Sequence, residues 1–454
     1  MTERPAPERA QRPTKARALV LRALPRDLLL VLSQRLWQAG AGLITTVLAV
    51  HFLSAELQGW YYSFLSVAAL YTLFDLGLST VLVQVAAHTF SGLRWRADFT
   101  VEGEGADHFR ALVGRASRWY VISAIAFAAL LLPGGLLFFG SKTGAAPHWL
   151  AQWIVLCGVT AAGLVFMPFL SVLEGTGRIT EVYAIRLGTA ICGSLAAWAA
   201  LAAGASLWAT VMVPTATLLI PIAWLVSYRR ELIVMAWRTV GRDFAWRREV
   251  WPLQWRLAVN WLCGYLLTQI NTPVLFHTQG AVVAGQFGLS LTIVNTISLV
   301  AQSWLTRRVP AMARAAAQRD WAALDRLFVR DYAVSSAVAI AGAAATLAAY
   351  RLLSHTAYVH RVLPFWELTA LLGFMLANLL IGGLSTHLRS YRKEPLMPLI
   401  AATTLVSTPV LIWAAARHSS AGLVAVLAAV NICVNLPVSV AIWRHCNHTW
   451  RHQA

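Results

Sequence analysis

Long apolar runs recur along this chain at a length that a lipid bilayer explains. Windows of about 20 residues, enough for a helix to cross a hydrocarbon core of roughly 30 Å, can be drawn twelve times, at 28–53, 60–87, 119–139, 149–173, 182–203, 207–228, 253–276, 281–305, 332–350, 365–384, 396–416 and 422–443. The pattern therefore predicts an all-α polytopic membrane protein with about 12 transmembrane helices. The longer polar segments are the tail 1–27 and the loops 88–118, 229–250 and 306–331. Two of these are amphipathic: in 306–331, Trp321, Leu324 and Phe328 recur at helical spacing against Arg319, Arg326 and Arg330. Segments 306–331 and 229–250 thus read as helices in the membrane interface or as linker helices. Trp60, Tyr61, Tyr62, Trp119, Tyr120, Trp149, Trp251 and Trp366 fall at span ends, where aromatic side chains anchor to the interface.

The pattern also divides in two. Arg35 stands early in a span that ends His51-Phe52-Leu53 and is followed by Gly59-Trp60-Tyr61-Tyr62-Ser63; Arg256 stands early in a span that ends Phe276-His277 and is followed by Gly285-Gln286-Phe287-Gly288-Leu289-Ser290. The expected organisation is a six-helix lobe 28–228, a basic linker 229–250, a second six-helix lobe 251–443 and a tail 444–454. Repeats of this sort place a substrate site between the halves near the midplane, with one half rocking against the other.

Charge and composition sharpen this. Hydrophobic residues make up 58% of the chain and charged residues 12%, as in polytopic membrane proteins. The net charge is +18, and 30 of the 37 Lys and Arg fall in the two tails and the alternate loops of one side, against four on the other side. By the positive-inside rule both termini are cytoplasmic. The basic excess is thus a topology signal, and nucleic acid is not an expected partner. The tail 1–27 carries seven basic residues with Pro5, Pro7, Pro13 and Pro25 and reads as disordered and drawn to the anionic leaflet, not as a cleaved signal peptide. Cys157, Cys192, Cys263 and Cys433 lie in spans and Cys446 in the tail, which implies no disulfide framework. The longest outer loop, 351–364, has no room for a catalytic domain, and there is no Walker sequence, glycine-rich nucleotide loop, serine triad or acidic metal cluster. The chain does not read as an enzyme and no cofactor is implied. His445, Cys446, His448 and His452 have metal-like spacing, but in a short tail with no fold to orient them, so no metal site is expected.

Three arginines, Arg35, Arg186 and Arg256, lie inside the spans, against two acids, Asp75 and Glu367. A charge at bilayer depth costs several kcal/mol, roughly 2.5–3.5 on insertion scales, so it persists where it faces a partner, water or cargo. The cargo that such a lining favours is an anion. Arg35, Gln38, Gly42 and Thr45 share one helix face; Arg256, Asn260, Gly264 and Asn271 share another; Thr292, Asn295 and Gln302 a third. Each amide or hydroxyl alone could simply join helices; two stripes headed by arginine at matching places suggest a lining. At about 1.5 Å per residue, Arg186 and Arg256 lie within roughly 6 Å of the cytoplasmic ends of their spans and can reach the headgroups, whereas Arg35 lies roughly 10 Å in. Asp75, beside Thr72 and Ser79, either pairs with Arg35 or titrates and couples transport to an ion gradient. Glu367 reads as a solvated rim residue.

The run Phe52-Leu53-Ser54-Ala55-Glu56-Leu57-Gln58-Gly59-Trp60-Tyr61-Tyr62-Ser63-Phe64, continued by Phe74-Asp75-Leu76-Gly77-Leu78, resembles the first helical hairpin of bacterial polysaccharide flippases. Leu173-Glu174-Gly175-Thr176-Gly177-Arg178 and Arg389-Ser390-Tyr391-Arg392-Lys393-Glu394-Pro395 resemble the cytoplasmic turns of the two halves. The family is that of the O-antigen and exopolysaccharide (Wzx-like) flippases, in the multidrug/oligosaccharidyl-lipid/polysaccharide exporter superfamily. The resemblance implies a MATE-like arrangement of two six-helix lobes around a central cavity. It further implies alternating-access translocation of undecaprenyl-pyrophosphate-linked oligosaccharide units across the bacterial inner membrane, coupled to H+ or Na+, with membrane lipid and other polysaccharide-assembly proteins as partners. On this reading Arg35, Arg256 and Arg186 neutralise the pyrophosphate or glycan charge, and Gln38, Asn260, Asn295 and Gln302 contact sugar hydroxyls. A multidrug exporter of the same superfamily would line its cavity with acids; a membrane transferase or polymerase would need a substantial outer loop; a non-transporting scaffold would use its polar residues only to join helices.

Overall fold

A computed structural model describes residues 26–96, 99–141, 149–238, 244–391 and 393–452. The tail up to residue 25, residues 239–243 of the linker and Arg392 of the second turn lie outside them. In the first half the helices are α1 (Arg26–Phe52), α2 (Ala55–Ala68), α3 (Tyr71–Asp75), α4 (Leu78–Thr89), α5 (Ala106–Gly140), α6 (Trp149–Gly175), α7 (Ile179–Ala202) and α8 (Ala209–Tyr228). A two-stranded antiparallel ribbon, β1 (Arg94–Trp95) with β2 (Val101–Glu102), fills part of the basic loop between α4 and α5. The linker forms α9 (Arg230–Arg238) and α10 (Trp246–Glu249). The second half has α11 (Trp251–Gly264), a π-turn at Tyr265–Gln269, α12 (Asn271–Gln279), α13 (Ala281–Thr306), α14 (Val309–Ala317), α15 (Trp321–Leu352), α16 (Phe365–Arg389), α17 (Met397–Ala429), a second π-turn at Val430–Asn435 and α18 (Leu436–His452).

Among the described residues, nine helical stretches are long and apolar enough to cross a membrane. The expected spans 28–53 and 253–276 are also helical, but polar residues dilute their apolar runs, Gln34, Arg35 and Gln38 in the first and Gln254, Arg256, Asn260 and Gln269 in the second. The expected spans 396–416 and 422–443 fall in one stretch that bends sharply at His418 and Ser419, where Ser419 has φ 60.

Several helices outrun their apolar windows at the end that carries the basic loops, called here the basic end. α15 begins eleven residues before its window, and its first turns overturn the interface-helix expectation for Trp321, Leu324 and Phe328. Trp321 stacks on Tyr391 with ring centroids 5.6 Å apart, and Leu324 and Phe328 are buried in a cluster with Leu384, Leu388 and Met312. Their apolar face covers protein instead of lipid, because α16 passes directly beneath it.

At the opposite end the two halves are sealed together. A Cβ on Gly59 of α2 would strike the Ala281 carbonyl of α13, and one on Gly285 would come within 2.8 Å of the Gly59 amide nitrogen. Two segments that matched in the sequence thus cross in backbone contact, which glycine alone permits. Gln58, 1% exposed, ties the crossing: its amide donates to the Gly285 carbonyl at 2.9 Å and to the Arg361 carbonyl at 3.0 Å. Trp60 beside it packs on Phe139 and Phe276 with centroids 5.5 and 5.0 Å away. Trp60, Tyr61 and Tyr62 are therefore core residues and not interface anchors, because α2 is enclosed by α13 and α6. Trp251 and Trp366 are exposed, as anchors require.

Candidate functional site

The charged residues of the first half gather at the basic end. Glu174, from the first of the two turns, ion-pairs Arg186 at 2.7 Å, and the Tyr183 hydroxyl donates to the same carboxylate at 3.4 Å. The Arg186 guanidinium lies 5.1 Å from the centre of the Tyr183 ring. Arg186 is thus a paired residue on α7 and does not simply reach for the headgroups. Arg35 lies on α1, the helix packed against α7. α1 and α7 are held face to face by two indole bonds: Trp37 donates to Ser194 Oγ at 3.1 Å, and Trp198 to Thr45 Oγ1 at 2.8 Å. Thr45 of the predicted stripe is therefore a helix-joining residue, and Gly42 of the same stripe lets α13 approach, its Cβ position being 3.4 Å from Thr296 Oγ1. Arg35 and Gln38 remain exposed, and among the described residues neither makes an ion pair or side-chain hydrogen bond. Arg186 is balanced by Glu174 at 2.7 Å, and Arg35 adds a positive charge that no ion pair offsets among the described residues.

Asp75 does not pair with Arg35. It closes α3, where Leu76 and Gly77 turn left-handed (φ 50 and 69) and break the second span in mid-course. Its carboxylate accepts from Ser79 Oγ at 2.8 Å, from the Ser79 amide at 3.2 Å and from the Tyr120 hydroxyl of α5. A carboxylate ahead of the first turn of α4 is stabilised by that helix's unpaired amides and dipole. Tyr120, 0% exposed, had read as an interface aromatic; α5 starts 13 residues before its window, which carries Tyr120 well inside the bundle. The break itself rests on the second half: a Cβ on Gly77 would meet Leu257 Cβ at 2.8 Å and Trp261 Cδ1 at 2.9 Å.

The second half presents a different surface. A cavity of about 250 Å³ opens between α11, α13, α16 and α17, with Asn260, Gln302, Asn378, Ser385, Arg389 and Glu394 in its wall. Two predicted residues, Asn260 and Gln302, are thereby brought together from helices far apart in sequence. Arg389 pairs with Glu394 of the second turn at 2.9 Å. Arg256 lies one turn nearer the basic end than Asn260 on the same face of α11, exposed and 5.7 Å from the Trp255 ring centre. Asn295 is exposed two turns farther along α13 from Gln302 and outside this cavity. A larger, apolar groove of about 690 Å³ runs between α1, α13 and α15 near the sealed end, lined by Val47, Val50, Phe52, Leu289, Ile293 and Leu353.

No protein-family model matches the sequence, and neither does any curated protein. Solved structures do match. The chain is similar to the inward-facing conformation of a multidrug resistance MATE family transporter of the MOP superfamily, with a TM-score of 0.60, 15% identity, and 93% of this chain and 96% of that one covered. The fold is MATE-like. The outward-facing conformation of a MATE family transporter of that superfamily gives a TM-score of 0.54 at 13% identity, covering 94% and 96%. The lipid II flippase MurJ in an inward closed conformation gives 0.57 at 12% identity, covering 91% and 87%. Structural neighbours of the MATE-like fold in this chain are thus transporters and a flippase, not enzymes.

Two residues escaped the sequence reading. Asp331 is 2% exposed on α15 and pairs with Arg308 at 3.0 Å and Arg307 at 3.5 Å; it stands one residue outside its apolar window. Asn378 is polar inside an otherwise apolar span, a signal that could have found it. Tyr120 reads as an interface aromatic in the sequence, and its bond to Asp75 carried no signal there. Glu367 is also corrected: it is 6% exposed, with one carboxylate oxygen hydrogen-bonded to no group among the described residues. The bend at Ser419 folds the start of the last span over it.

Proposed function

We propose that the protein is a flippase for polyprenyl-pyrophosphate-linked oligosaccharides, undecaprenyl-linked in a bacterial inner membrane, serving O-antigen or exopolysaccharide synthesis by alternating access. The basic end, with both termini, faces the cytoplasm. The observation that carries this reading is the cationic face of the first half, where Arg35, unpaired among the described residues, stands on the helix packed against the one that bears Arg186 of the Arg186–Glu174 pair. A lipid-borne diphosphate delivered from the cytoplasmic leaflet meets this face first, and guanidinium forks bind phosphate oxygens in paired, charge-assisted hydrogen bonds. Arg256 offers a third cation at the same end. The apolar groove beside α1 suits a polyprenyl chain, and the seal at Gly59 and Gly285 separates the cytoplasm-facing site from the other side. Likeness in fold to a lipid II flippase supports the same reading.

The likeness to multidrug transporters favours a second reading, export of small molecules, against which stands the excess of arginine over free acid in the lining. Deletion separates the two. The flippase reading expects lipid-linked repeat units to accumulate facing the cytoplasm; normal glycan export with new drug sensitivity would refute it. Asp75 is the proposed coupling residue, for H+ or Na+, and other polysaccharide-assembly proteins are the proposed partners.

A further inference from the structure

The second-half cavity differs from the cationic face in chemistry as well as position. Its hydroxyls at Ser335, Thr306 and Thr386 are spent on backbone carbonyls at 2.8 Å each. By contrast the side chains of Asn260, Gln302, Asn378 and Ser385 make no hydrogen bond among the described residues, although all four line the same cavity. Each amide offers two donors and an acceptor oxygen, and a hydroxyl adds one of each. Asn260, Gln302 and Asn378 are exposed at the cavity wall, so their amide groups are free to bond water or a ligand that replaces it.

The cavity's charge is balanced, since Arg389 is neutralised by Glu394 at 2.9 Å. It therefore has no excess cation to hold a diphosphate. Leu305, Leu379 and Ile400 give it apolar walls between the polar groups, which suits a ring with hydroxyls at its rim and C–H bonds on its faces. At about 250 Å³ it lies just under the roughly 300–1,000 Å³ of pockets that take drug-sized molecules, so one sugar ring fits and a whole repeat unit does not.

We propose that this cavity is a separate subsite that binds one neutral sugar residue of the cargo through the amides of Asn260, Gln302 and Asn378. The first half then reads the charge of the head group and the second half reads the sugar. This inference rests on the flippase reading above.

The test uses the full-length protein in nanodiscs and two probes: lipid-linked oligosaccharide extracted from the host's own membranes, and undecaprenyl pyrophosphate without sugar. The wild type should prefer the sugar-bearing probe. In the double variant Gln302→Leu with Asn378→Leu the ratio of the two affinities should fall about tenfold, the loss expected of two or more hydrogen bonds. Arg35→Ala should weaken both probes and keep the ratio. Thermal melting checks folding, and Gln302→Leu with Asn378→Gln should recover part of the ratio lost in the double variant, which a merely structural role would not do. An unchanged ratio in the double variant overturns the subsite while leaving the flippase reading intact. Failure of the wild type to bind either probe overturns both.

Discussion

The crossing of α2 and α13 makes a quantitative claim about conformational balance. In Gly59→Val, the new side chain meets the Ala281 carbonyl, a backbone atom that cannot turn aside. Overpacking a close contact costs about 1–3 kcal/mol, and this cost falls only on the state in which the two halves touch at the sealed end. At about 1.4 kcal/mol per factor of ten, the balance should move roughly 5- to 150-fold toward the state open at that end. Cysteines placed at the exposed positions Glu56 and Val282, in a background lacking the native cysteines, report the separation through their crosslinking yield. Gly158→Val is the control, since nothing lies within 4 Å of the Gly158 Cβ position. The yield should drop in Gly59→Val and hold in the control. An undiminished yield in Gly59→Val, with melting temperature also unchanged, would refute the seal.

Other predictions concern the buried and paired charges. Asp75→Asn keeps hydrogen-bonding capacity toward Tyr120 and Ser79 but removes the charge; it should fold normally and lose the response of transport to an imposed proton gradient, and a retained response would rule Asp75 out as the coupling group. Glu174→Gln frees Arg186, whose pair with Glu174 is partly exposed, and because such pairs contribute about 0.2–1 kcal/mol, binding of undecaprenyl pyrophosphate should tighten up to about fivefold; weaker binding would contradict the account. Gln58→Leu removes two donated bonds of about 0.5–1.5 kcal/mol each, so the melting temperature should fall, and an unchanged value would show that water replaces the amide.

Hydropathy made the fold legible because lipid imposes length and apolarity on each span separately. What it hid were the breaks. Leu76-Gly77, the π-turns and the bend at Ser419 lie inside apolar runs, where backbone conformation leaves no mark on mean hydropathy. Those breaks decide the partners: the unwound turn after Asp75 turns its carboxylate toward Ser79 and Tyr120 and away from Arg35, 40 residues earlier. Asn260 and Gln302, each picked out by periodicity along its own helix, line one cavity. That these two converge with Asn378, while Thr45 joins α1 to α7, depends on which helices touch, and that is written only in the packing. Aromatic residues at apparent span ends misled for the same reason: Tyr120 and Trp60 are enclosed by neighbouring helices that the linear pattern does not reveal.

The central claim is that an anionic, lipid-borne cargo is taken up at the cationic face of the first half. Its most direct test is translocation of fluorescent undecaprenyl-pyrophosphate-linked oligosaccharide in proteoliposomes, comparing the wild type, Arg35→Ala and Arg35→Lys at equal protein density. The account predicts transport by the wild type, little by Arg35→Ala, and partial recovery in Arg35→Lys, which restores charge without the fork. Transport by Arg35→Ala at the wild-type rate would contradict it.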